Sequence, residues 1–411
     1  MPARRHFSPS HLPFLRKRRP PSDSWQIRAT RVADVYLTPP RRKDPMTENA
    51  QAPRNARIEA LRLVAILGIA VFHTFQPWFS AATVDAWDVW VTSPGMLATL
   101  GCVNLLGSYG NHVFFLISGL FLVPRAAARS GEPGYWREQA RGAARRAATI
   151  LLTVALYVLG ALAVDAWVVP IEGISLESPL WVFSWLEFIW VYLVIVLATP
   201  LIGWVWRRLR RPVAVVWALA ACVFAVNAYI AFVSPGDEVR NLLEWRKLMS
   251  AVSYLAAFLV GGALAERGLP RPGIALACCS GLTVAVEAAA ALAGNTDLLV
   301  ALSFKSTSAL SFALAVCSVA VAAARADDRM PPRLSALLRR LASSILGFYV
   351  AQALLSPLWR SFGWDLCLAA LDHGEAALLA TGVVWSLILL AALLALDQLV
   401  RIPLLRAARI R

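Results

Sequence analysis

The first long apolar run of this chain carries two ionisable side chains at a helical spacing: Arg62 and His73, in Glu59-Ala-Leu-Arg62-Leu-Val-Ala-Ile-Leu-Gly-Ile-Ala-Val-Phe-His73. Eleven steps of about 100° come to three turns plus roughly 20°, so the two share one helix face, about 16 Å apart along the axis. Ionisable groups inside an apolar span are costly and mark a site by default. A guanidinium near one end suits an anion such as a phosphate, and an imidazole near the middle suits removal of a hydroxyl proton. Glu59, on the same helix, and Glu187, in a later apolar run, are the carboxylates available to hold the guanidinium or orient the imidazole.

Holding such a pair in place requires more helices. With 58% hydrophobic and 16% charged residues in 411, the chain is too apolar for a soluble domain and too long for a simple anchor. Apolar runs recur at 61–80, 104–124, 147–169, 179–204, 212–232, 249–265, 272–293, 298–324, 341–358 and 375–399. Each is long enough to cross a bilayer as a helix, and none shows the alternation of a lipid-facing strand. The fold class expected is an all-α, polytopic membrane bundle of about ten transmembrane helices.

The net charge of +15 raises nucleic acid as a partner, but the charge is distributed by topology. The loops 125–146, 206–211, 266–271, 325–340 and 401–411 hold 21 Lys and Arg, against four (Arg240, Arg246, Lys247, Arg360) on the other side. That asymmetry puts the basic loops and both termini in the cytoplasm of a multi-pass cell-membrane protein and leaves no nucleic-acid role. Trp78, Trp87, Trp90, Trp181, Trp185, Trp204, Trp206, Trp359 and Trp364 fall near span ends, as interfacial anchors do. The six cysteines lack metal-type spacing and read as small apolar side chains, and no metal site is expected.

Residues 1–56 are Arg- and Pro-rich without helical periodicity or the apolar core of a signal peptide. Two readings stand for them: a start of translation at Met46, or a polybasic arm on anionic lipid. Residues 57–400 form the membrane domain, and 401–411 a basic cytoplasmic tail. No appended soluble domain is expected, so any reaction takes place within the bundle.

Further motifs accompany the first. Gly107-Ser-Tyr-Gly110-Asn-His112-Val-Phe114-Phe115-Leu-Ile-Ser118-Gly119 occupies the second span, and Arg125, Arg129, Arg137, Arg141, Arg145 and Arg146 follow it. Leu180-Trp181 through Glu187-Phe188, Tyr192-Leu193 and Pro200 mark the fourth span, and Ser344-Ile-Leu-Gly347-Phe348-Tyr349-Val-Ala-Gln352 the ninth. This set resembles the membrane-bound acyltransferase-3 family, which pairs an Arg and a His in its first helix with a Phe-Phe-x-x-Ser-Gly run in its second. The family's late His is Gln352 here, which hydrogen-bonds but does not titrate near neutrality. Either His112 supplies that imidazole from another helix, or one His is enough, or the activity is altered.

The resemblance implies transfer of an acyl group, often acetyl, from a coenzyme A thioester to a hydroxyl of a sugar, glycolipid or surface glycan. Acyl-CoA is then a substrate, with no permanently bound cofactor; the acceptor is a cell-envelope carbohydrate or lipid-linked precursor. The family contains both members that complete the transfer themselves and members that hand the acyl group to a separate extracytoplasmic transferase as partner. The catalytic candidates are His73, Glu187 and His112; the donor-binding candidates are Arg62, Arg125, Arg145 and Arg146; Glu59, Ser118, Tyr192 and Gln352 support them. Ser118 reads as a packing residue beside Gly119 rather than a nucleophile. Glu287 and Lys305, flanking the turn near Asn295, read as an ion pair. The competing class is a non-enzymatic lipid or glycan carrier, disfavoured because no paired mid-membrane helix breaks appear in the two halves. The preference for Arg over Lys, 36 to 4, is that of a GC-rich, bacterial source.

Overall fold

The computed structural model describes residues 55–84, 92–174, 180–233, 242–303, 307–324 and 330–407. The expectations for residues 1–54, Trp87, Trp90 and Lys305 fall outside them. The described elements are helices, in the order α1 Ala56–Thr83, α2 Pro94–Arg129, α3 Tyr135–Trp167, α4 Trp181–Trp185, α5 Glu187–Arg208 and α6 Pro212–Ala228, the last extended by a π-helical turn at Tyr229–Val233. There follow α7 Leu242–Arg267, α8 Pro272–Leu292, α9 Thr296–Ser303, α10 Ala309–Ala323, α11 Pro332–Ala342, α12 Ile345–Leu355, α13 Pro357–Leu371, α14 Glu375–Leu399 and α15 Arg401–Ala407. Helix starts follow local chemistry. The Asn55 side chain accepts from the Arg57 amide at 2.9 Å, Ser93 caps α2, and prolines open α2, α6, α8, α11 and α13.

The fold is the expected all-α polytopic bundle, with a smaller count of continuous spans. Among the described residues, eight helices are long and apolar enough to cross a membrane, and α11 with α12, bent by 42°, makes a ninth. The span expected over 298–324 divides into α9 and α10, because a hydroxyl serves both broken ends: Ser308 Oγ donates to the Leu302 carbonyl at 2.7 Å and accepts from the Ser311 amide at 3.4 Å. The stretch 359–374, left between two expected spans, is mostly helix, since α13 runs to Leu371.

The second helix, α2, is the central one, in contact with α1, α5, α7, α8 and α10. Its closest approach is to α7 at Gly119, where a Cβ would lie 1.7 Å from the Phe258 carbonyl oxygen. Ser118 beside it donates to the Phe114 carbonyl of its own helix at 2.9 Å. Large apolar side chains such as Leu159, Val194, Leu201 and Ile388 remain exposed on outer helix faces, as lipid contact requires.

Several tryptophans expected as interfacial anchors are packed inside instead. Trp78 is buried and stacks on Trp364 at 4.1 Å, Trp181 is buried, and Trp206 donates its indole N–H to Glu266 at 3.0 Å. Indoles near span ends fill gaps between helices as readily as they meet headgroups.

A fully buried ion pair secures α12. Arg401 donates from Nε and Nη2 to Asp397 at 2.5 and 2.7 Å, and from Nη2 to the Ser343 carbonyl at 2.9 Å. The Tyr157 hydroxyl donates to the same carboxylate at 2.9 Å, and Gln398 donates to Ser344 Oγ at 2.6 Å. The bend at Ser343 and Ser344 is thus held from α14 and α15, the latter formed by the start of the basic tail and burying Arg401, Ile402 and Leu405.

Candidate functional site

The site is built at two levels of α1. Toward its C-terminal end, a cavity of about 630 Å³ is walled by His73 and Gln76 of α1, Ser108 and Asn111 of α2, Glu172, Trp185, Glu187 and Phe188. Lys247, Ser250 and Tyr254 of α7, Tyr349 and Gln352 of α12, and Ser356 and Arg360 close it. The His73 ring is open to this space and meets Phe72 edge-on at 4.9 Å. A smaller cavity of about 290 Å³ adjoins, sharing His73, Gln76, Gln352, Ser356 and Arg360 and adding Trp359, Trp364 and Trp385. Gln352 is buried, and its Oε1 has no hydrogen-bond partner among the described residues.

Toward the N-terminal end of α1, the arginines gather. Arg62 Nη1 donates to Glu59 at 3.0 and 3.2 Å, so of the two carboxylates considered it is Glu59 that contacts the guanidinium. Arg62 and Arg125 sit over the Phe121 ring, 6.0 and 5.8 Å from its centroid. Arg146 stands within electrostatic range of Arg125 and Tyr192, and its Nε is buried without a partner among the described residues. Arg145 is exposed, and no described contact joins it to this group.

Between the two levels lies an aromatic cluster. Phe114 lies on α2 between Asn111, which faces the cavity, and Phe121, which lies under the guanidinium groups. Its ring packs on Tyr192 at 4.6 Å, on Phe188 at 5.3 Å and on Tyr349 at 5.3 Å, while Phe188 stacks on Tyr349 at 4.5 Å. Tyr192 therefore belongs to this partition and Glu187 to the His73 cavity.

Residues 55–396 match the family model described as an acyltransferase domain. The chain belongs to the acyltransferase-3 family. No curated protein and no solved structure matches it. The protein is accordingly a multi-pass membrane acyltransferase, a transferase of groups other than aminoacyl groups.

Within this acyltransferase the candidates separate into groups. His73, Glu187 and Gln352 share one cavity; Arg62, Glu59, Arg125 and Arg146 share the other end. His112 joins neither: it is fully buried, its Nδ1 lies 3.5 Å from Ser311 Oγ, and it is enclosed edge-on by Phe224, Tyr254 and Phe312. Ser118 lines neither cavity; its hydroxyl is spent on the Phe114 carbonyl of its own helix, beside the Gly119 contact with α7. Glu287 is fully buried opposite Gly101, and its carboxylate oxygens have no hydrogen-bond partner among the described residues. Sequence reasoning missed Gln76, Glu172, Lys247 and Arg360 as site residues. Gln76 was findable, being three residues after His73 on the same helix face; the other three come from loops and helix ends, where charge carries no periodic signal.

Proposed function

We propose that the protein is an O-acyltransferase that takes an acyl group, acetyl being the simplest, from acyl-CoA at the arginine-rich end and delivers it to a carbohydrate hydroxyl in the His73 cavity. The observation that carries this reading is the pairing on one helix face of Arg62 and His73, each in its own site and about 16 Å apart. The arginine-rich end is the cytoplasmic one by its charge, and acyl-CoA is a cytoplasmic polyanion whose phosphates suit Arg62, Arg125 and Arg146. Its pantetheine arm is long and narrow enough to carry a thioester past the aromatic cluster toward His73.

The chemistry at that point is ordinary acyl transfer. The neutral His73 imidazole accepts the acceptor's hydroxyl proton as the oxygen attacks the thioester carbonyl. The tetrahedral intermediate then collapses, the C–S bond breaks, and the proton passes from the imidazolium to the departing CoA thiolate. The Gln352 carboxamide, in the same cavity, donates to the developing oxyanion but cannot carry a proton. A single imidazole therefore does the proton transfer, and Glu187 and Glu172 are the wall carboxylates available to stabilise its charged form. The acceptor is a cell-envelope carbohydrate or its lipid-linked precursor.

The test uses purified protein in detergent with labelled acetyl-CoA. Wild type binds the donor and slowly consumes the thioester. His73→Ala lowers turnover by about 10²–10⁴-fold with donor binding retained, and Arg62→Ala weakens donor binding by about tenfold or more. A wild type that neither binds nor consumes acetyl-CoA refutes the assignment of donor.

A further inference from the structure

Arg360 is a wall residue that the transfer chemistry leaves unused. It lies in the first turn of α13, twelve residues before the turn at Asp372, which corresponds to about 18 Å of helix. An arginine side chain is much shorter than that, so Arg360 does not reach the helix end by snorkelling. Contacts between helices fix its level independently. Gly363, on the next turn of α13, faces Trp385 of α14; the neighbouring Ser386 donates to Thr74 Oγ1 at 2.8 Å; and Thr74 follows His73. Arg360 and His73 are thus level with each other, and both line the two adjoining cavities.

Among the described residues, no carboxylate pairs with this guanidinium. Arg62 and Arg401, which lie within the bundle nearer its arginine-rich end, are paired with Glu59 and Asp397. The remaining ionisable groups of the cavity walls are His73, Glu172, Glu187 and Lys247, and among the described residues none forms an ion pair with Arg360. A cation held exposed in an intramembrane cavity, level with the imidazole, is a binding group for an anion that arrives from outside the chain. The indoles of Trp359 and Trp385 line the smaller cavity with it, and indoles are side chains on which a sugar ring packs.

We propose that Arg360 receives an anionic group, phosphate or carboxylate, of the acceptor whose hydroxyl faces His73, so that the enzyme prefers charged carbohydrate over neutral. This rests on the acyl-transfer reading of the His73 cavity. His73 sets where the hydroxyl reacts, and Arg360 sets which molecules bring one there.

The experiment follows tryptophan fluorescence of the full chain in nanodiscs of zwitterionic lipid during titration with glucose, glucose 1-phosphate, glucuronate, inorganic phosphate and decyl phosphate. Wild type binds glucose 1-phosphate or glucuronate about tenfold or more tightly than glucose; Arg360→Gln loses the preference, and Arg360→Lys, which keeps charge without the planar fork, retains part of it. Tighter binding of decyl phosphate than of inorganic phosphate, lost in Arg360→Gln, assigns the anion to a lipid-linked acceptor; equal binding assigns it to a soluble one. Equal binding of glucose and its charged forms, no response to any anion, or a preference that survives Arg360→Gln overturns the inference. Acetyl-CoA consumption by wild type is read in parallel. Turnover without anion preference removes the role of Arg360 and leaves the transfer reading intact; anion binding that depends on Arg360 without turnover does the reverse.

Discussion

Removing one member of the Asp397–Arg401 pair should damage the protein far more than removing both. The two side chains are 0% and 2% exposed, and four hydrogen bonds converge on them from Tyr157, Ser343 and each other. In Asp397→Leu the guanidinium keeps the Ser343 carbonyl alone, and in Arg401→Met the carboxylate keeps the Tyr157 hydroxyl alone. Leaving a buried charge uncompensated costs about 3–5 kcal/mol, whereas replacing a whole pair by apolar residues of similar volume is often neutral or better. At about 2–4 °C per kcal/mol, each single variant should lower the apparent melting temperature in detergent by about 6–20 °C, toward the lower end for a chain of this length. The double variant should lie within a few degrees of wild type. Melting curves at one fixed scan rate, with all four proteins compared side by side, read the cycle directly. A double variant as unstable as the sum of the singles, or singles that melt with wild type, would refute the reasoning. Because Arg401 holds the Ser343 carbonyl at the start of α12, the single variants should also lose acyl transfer before they unfold, through displacement of Gln352.

Two further outcomes follow from the same geometry. Gln352→His puts a second imidazole in the His73 cavity; its protonated form adds a cation near Arg360, and burial and that guanidinium both hold its titration below the ordinary imidazole range, so turnover relative to wild type should fall only toward acid pH, and identical pH profiles would show that position 352 does not face the reacting groups. Gly119→Ala forces a methyl group against the Phe258 carbonyl and should cost about 1–3 kcal/mol or more, seen as a lower melting temperature, while Ser118→Ala, which removes one intrahelical hydrogen bond, should change it little.

What the sequence revealed followed from periodicity and from runs. Continuous apolar stretches made the spans plain, and the face shared by Arg62 and His73 follows from counting along one helix. Interruptions were less visible: the divided 298–324 run depends on where the Ser308 hydroxyl turns, which hydropathy does not encode. Arg360 was assigned to a loop because a charge beyond an apolar run signals an exit from the membrane, yet Pro357 opens a new helix there. His112 and Gln352 are both polar residues in apolar runs, the first read as a catalytic candidate and the second as a supporting one. Packing separates them, enclosing His112 among Phe224, Tyr254 and Phe312 and turning Gln352 into the cavity.

The aromatic cluster of Phe114, Phe188, Tyr192 and Tyr349 has an electrical consequence. A protein with a polar cavity at one end of a helix and a cluster of cations at the other is one constriction away from being a leak, and an energised membrane loses about 2.3 kcal/mol per charge per 100 mV through any continuous water path. Four interlocked rings stand between the two ends and narrow what can pass from one to the other. Enlarging that path by trimming Phe114 would therefore tax the cell's ion gradients as well as the enzyme, which sets a limit on how far the passage between the sites can be widened.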